Sequence, residues 1–104
     1  MIASEERRLL IIFESLCDRA PSNIYIRRWG NREKLKGYKI IILIRKYCPE
    51  YYQDLFEIFN CKDKGDLAKS VSVFLWRRIK SFKNIYRLGD LCRELRKTVV
   101  GETI

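Results

Sequence analysis

The sequence predicts a mainly α protein, a single domain over residues 1–104 built as a bundle of four to five helices. Three observations predict it. Apolar residues recur at i, i+3, i+4 and i+7 over several long stretches. Proline and glycine fall where those stretches begin and end: Pro21, Gly30, Pro49, Gly65 and Gly89. The chain is 47% apolar and 12% aromatic, far too rich for disorder. At 104 residues it hides roughly 65% of the surface its unfolded form exposes, enough for one modest core.

The first element is an amphipathic helix over residues 4–20. Leu9, Ile12, Phe13, Leu16, Cys17 and Ala20 form its apolar stripe. Ser4 is its expected cap, Glu5 and Glu6 suit the positive end of its dipole, and Pro21-Ser22-Asn23 stops it. Ile24 and Ile26 then alternate as in a short strand until Gly30-Asn31 breaks it. Residues 32–48 read as a helix ending before Pro49, with Ile40, Leu43, Ile44, Tyr47 and Cys48 at helical spacing. The alternative for residues 24–44 is a small β-hairpin, Ile24–Trp29 against Tyr38–Ile44, since Gly37 and a β-branched run sit inside.

Pro49 opens the next helix in its preferred first position. Tyr52, Leu55, Phe56 and Phe59 face inward there, and Glu50, Asp54 and Glu57 face outward. After a turn at Asn60–Gly65, a long helix is expected from a cap at Asp66 to about Tyr86. Gly89 is read as a left-handed stop, and Asp90 as the cap of a short last helix with Leu91, Cys92 and Leu95 inside. From about residue 98 the tail is expected to fray.

Net charge is +9, unevenly spread. Residues 22–48 hold eight basic groups and one acid, residues 67–104 nine and three, while residues 49–66 hold two and five. Two basic blocks within a folded chain point to an acidic partner, nucleic acid first and an acidic protein second. The longest apolar run, Ile40–Ile44, is far too short for a membrane span.

The four cysteines, Cys17, Cys48, Cys61 and Cys92, form no C-x-x-C pair, and histidine is absent. Neither a metal site nor any other cofactor is expected. With no secretory signal pattern, the setting is read as cytoplasmic and reduced, and the cysteines as small buried hydrophobes. The scarcity of Asn, Gln and Met beside abundant Ile, Tyr, Lys, Arg and Glu resembles heat-adapted usage, archaeal or viral. Intracellular disulfides are sustained in hyperthermophilic hosts.

Two clusters are candidate binding residues. Wound as one helix, residues 66–87 put Lys69, Trp76, Lys80, Lys83 and Arg87 within about 40° of one line, opposite the apolar face, with Arg77 beside them. Such a face can lie along a phosphate backbone while the tryptophan stacks on a base. The second cluster is Arg27, Arg28, Trp29, Arg32, Lys34 and Lys36, followed by Lys39. Loop arginines beside a tryptophan suit phosphate contacts or groove entry. Residues 49–59 and 66–87 would form a helix-turn-helix with an overlong turn. The tetrapeptide Arg28-Trp29-Gly30-Asn31 resembles the start of swapped-hairpin antitoxin-type DNA-binding domains, but the alternating strand that should follow is replaced by Arg-Glu-Lys-Leu-Lys, so nothing is carried over.

No Gly-rich phosphate loop or nucleophile elbow is present, and the cysteines lack a histidine base, so an enzyme is not expected. The expected function is a small basic nucleic-acid-binding protein, for DNA or RNA. The alternative is an accessory or viral effector that binds an acidic protein. Under either reading a homodimer through Tyr51 and Tyr52 is open.

Overall fold

In the computed structural model, residues 3–26 and 34–103 are described, with side chains for 4–26 and 36–98. Five helices follow in order: α1 (Ala3–Arg19), α2 (Lys34–Tyr47), α3 (Tyr52–Phe59), α4 (Lys64–Arg78) and α5 (Leu88–Thr103). Short 3₁₀ turns at Pro49–Tyr51 and Phe82–Asn84 precede α3 and α5. One core runs through them, containing Leu9, Phe13, Ile40, Ile44, Leu55, Leu67, Val71, Leu75, Phe82 and Leu91.

The stripe of α1 is buried as its spacing requires, Cys17 only partly so. The helix starts at Ala3, so Ser4 lies inside the first turn rather than capping it. Residues 38–44 are helical, so the β-hairpin is not formed. The run Ile40–Ile44 shows why. Ile40, Ile41, Leu43 and Ile44 are buried and Ile42 is 55% exposed. Four inward positions and one outward fit a 3.6-residue period and not the two-residue alternation of a strand. Gly37 supplies the second reason. A Cβ there would lie 2.0 Å from the Ala68 carbonyl oxygen and 2.4 Å from the Ser72 hydroxyl. Only a glycine lets α2 pack this closely on α4, the most extensive helix pairing of the bundle.

α3 ends at Asn60, whose φ of 55° places it in the left-handed region that asparagine tolerates at a helix terminus. α4 begins two residues earlier than Asp66. Its cap is Asp63, whose carboxylate accepts the Asp66 amide at 2.9 Å. The Arg19–Glu50 ion pair joins the end of α1 to the turn before α3, and Arg19 Nη1 also donates to the Tyr47 carbonyl at 3.2 Å. The Glu50 carboxyl is held below the usual carboxylate range by its own backbone amide and by Arg19.

The long helix to Tyr86 is not formed either. α4 stops at Arg78, and Ile79 is extended at φ −121°, ψ 106°. Beyond it Ile79, Phe82, Ile85 and Leu88 are all buried. That is every third residue, which one continuous α-helix would spread around its circumference. Gly89 is not a left-handed stop. It sits in the first turn of α5, where its amide donates to the Ser22 carbonyl at 2.9 Å and an added Cβ would meet Ser22 Cβ at 3.0 Å. Asp90 is not the cap but pairs with Arg93.

Cys17 and Cys92 are bonded to each other, with Cα atoms 5.7 Å apart, and clamp α1 to α5. Reading these two as simple hydrophobes is therefore corrected: α1 and α5 pack side by side and bring the thiols within bonding reach. Cys48 is free and buried, as expected, and burial pushes its thiol pKa up. Cys61 is free and partly buried.

Candidate nucleic-acid interface

The end of α4 divides the predicted basic stripe in two. Lys69, Trp76 and Arg77 remain on the outer face of α4. All three are exposed, Trp76 by 52%. Lys80, Lys83 and Arg87 leave the helix and lie on the segment that links it to α5, also exposed. They share no helix face, because the φ,ψ change at Ile79 redirects the chain.

The linking segment gains a different neighbour. Residues 24–26 pair with residues 86–88 through one antiparallel bridge between Tyr25 and Arg87. The Ile26 amide donates to the Tyr86 carbonyl at 2.7 Å, and the Leu88 amide to the Ile24 carbonyl at 2.8 Å. Leu88 and Gly89 thereby satisfy the first amides of α5 on carbonyls of residues 24 and 22. The apolar alternation of Ile24 and Ile26 is real, but its partner is this segment and not residues 38–44.

Tyr25 and Arg87 stand opposite each other across the bridge. Arg87 Nη2 donates to the Tyr25 hydroxyl at 3.0 Å, and the guanidinium carbon lies 5.1 Å from the ring centre. That hydrogen bond raises the Arg87 pKa. Tyr25 is 54% exposed and Tyr86 39%. The sequence reading missed both tyrosines as site residues. The signal available was Tyr25 at the outward position between two inward isoleucines.

Of the second cluster, Arg27, Arg28, Trp29 and Arg32 lie outside the described residues, as does the side chain of Lys34. Both flanks are described, and both are fixed to the same segment. On one side stands the Ile26–Tyr86 hydrogen bond. On the other, Lys36 Nζ donates to the Phe82 carbonyl, 4.5 Å from the Phe82 ring centre and 5.9 Å from that of Tyr86. Lys36 is fully buried. Its expected role as a phosphate contact is therefore corrected: the amine is spent inside the protein, fastening the start of α2 to the segment before α5. Lys39 is partly exposed on α2.

The two chain segments that form this bridge carry no acid. Residues 19–32 and 67–89 contain no Asp or Glu. Asp90, three residues after Arg87, pairs with Arg93 and also acts on the Arg87 charge.

The face of α4 is built differently. It borders a groove of about 540 Å³ lined by Phe59, Val73 and Phe74, with Lys69 and Arg77 at its rim and the Glu6–Arg78 ion pair at its edge. Phe74 also stacks on Phe13 and meets Phe59 edge-on, with ring centres 5.9 and 6.2 Å apart. The turn between α3 and α4 has only four residues, Asn60–Asp63, the length usual in a helix-turn-helix. However, α4 shares its outer face with α1 through Glu6 and with α3 through Phe59. A recognition helix instead needs a polar ridge that enters a groove.

Among the described residues, no group of three or more acids or cysteines could hold a metal ion, and no helix is long and apolar enough to cross a membrane. No family model, curated protein or solved structure matches the chain.

Proposed function

We propose that the protein binds nucleic acid through the bridged surface centred on Tyr25 and Arg87, with little sequence specificity. The supporting observation is the pairing of residues 24–26 with 86–88. It sets the entry to the first basic block beside the second, so Lys80, Lys83 and Arg87 adjoin the chain that leads into Arg27, Arg28, Trp29, Arg32 and Lys34. Phosphates are the natural partners of such a cluster, and exposed aromatics beside it offer bases a stacking surface. Flat rings and loop-borne cations suit a single strand better than the interior of a duplex groove. No reaction is assigned: the surface offers cations and rings but no paired acid and base.

The test is a fluorescence-anisotropy titration of labelled single-stranded DNA, single-stranded RNA and duplex DNA over a salt series. Four to six phosphate contacts predict saturable binding to single strands with a log–log salt slope of about −3 to −4. Absence of saturable binding at roughly 0.15 M salt would remove the proposal.

A further inference from the structure

The groove on α4 is not used by the surface proposed above, and its chemistry differs. Its floor is mainly apolar: Phe59, Val73 and Phe74, backed by Phe13, with Ser70 the one hydroxyl in the lining. Its rim carries Lys69 and Arg77, eight residues apart and so about 12 Å apart along the helix. Among the described residues neither cation forms an ion pair. The one acid at the groove, Glu6, is already paired to Arg78. Trp76 stands exposed beside the rim. At about 540 Å³ the groove falls within the size range of real ligand clefts.

We infer that this groove docks an acidic amphipathic segment of a partner protein, a short helix whose apolar side chains enter the floor while its carboxylates meet Lys69 and Arg77. Two features select this occupant. The unpaired rim charge is positive, so a complementary partner is acidic. The floor is aromatic and aliphatic, which rewards side chains that leave water and offers nothing to a phosphate–sugar chain. A helix carrying Leu or Phe at i, i+3, i+4 and i+7, with glutamates flanking, matches both the two-turn spacing of the rim and the apolar floor. A protein with both surfaces would hold nucleic acid at one and an acidic partner at the other.

The probe is a labelled 14-residue helical peptide of that pattern. Two controls accompany it, one with Lys for Glu and one with Ser for the apolar residues. Saturable binding of the acidic amphipathic peptide is expected, with both controls at least tenfold weaker. K69E/R77E should weaken it at least tenfold, and V73S, which keeps both charges, by about threefold. K83E/R87E should leave it unchanged. Circular dichroism melts confirm that each variant is folded. The inference is overturned if the peptide binds no better than its controls, if K69E/R77E leaves affinity unchanged, or if K83E/R87E weakens it equally. Failure here leaves the nucleic-acid reading standing, because that reading depends on residues 24–26 and 80–88 and not on the groove.

Discussion

The outer face of α4 and the segment from Ile79 to Leu88 carry the same kinds of residue, cations beside an exposed aromatic ring, yet they are built in opposite ways. On α4 the residues are near in sequence and share a face by periodicity. At the bridge they come from chain positions about sixty apart, joined by two backbone hydrogen bonds and fastened by a buried lysine. The α4 surface has an apolar floor, and the bridged surface consists of rings, guanidinium and ammonium groups on acid-free chain. Charge of the same sign can therefore serve different partners, and what lies beneath the charge decides which.

The largest effect is expected at the clamp. The bridge depends on the first turn of α5, and α5 is tied to α1 by Cys17–Cys92, 75 residues apart in sequence. Opening that loop in C17S/C92S should cost about 4 kcal/mol by chain entropy, measured by urea unfolding. In native-state hydrogen exchange, protection of the Ile26 and Leu88 amides should fall more than that of the α4 amides. Equal loss at both places would mean that the bridge is not the dependent element.

A smaller effect is expected at Lys36. Lys36→Met removes the lysine's hydrogen bond to the Phe82 carbonyl, which keeps the Ile85 amide as a donor, at a cost of about 1 kcal/mol. Oligonucleotide affinity should fall severalfold even though residue 36 is out of reach of solvent, while peptide binding to the α4 groove should not change. Unchanged oligonucleotide affinity would show that Lys36 does not position the surface.

The sequence carried much of the fold. Pro49 opens a 3₁₀ turn ahead of α3, and only Leu55 of the expected α3 stripe is fully buried, whereas the stripe of α1 and the inward face of α5 follow directly from apolar spacing. The end of α4 did not, because Tyr86 and Phe82 extend a helical pattern that Ile85 and Leu88 contradict only by a shift to every third residue. A local rule has no access to what makes the shift favourable: burial of Ile79, Phe82, Ile85 and Leu88 together with the pairing to residues 24–26. Lys36 was unreadable for a related reason. A lysine in a basic run looks solvated until the carbonyl and rings that surround it are known. Gly37 and Gly89 were visible as breaks, but their reason, close approach to Ala68 and Ser22, is tertiary. The disulfide pairing required knowing that α1 and α5 are neighbours.

The most direct test compares two charge-reversal pairs in the same salt series with a single-stranded oligonucleotide. K83E/R87E should weaken binding at least tenfold, about 1.4 kcal/mol, and flatten the salt slope by about 1.4, two phosphate contacts' worth. K69E/R77E, with the same change in net charge, should weaken it less than threefold and keep the slope. The opposite ranking, or equal losses from both pairs, would contradict the claim that the bridge at Tyr25 and Arg87 forms the nucleic-acid surface.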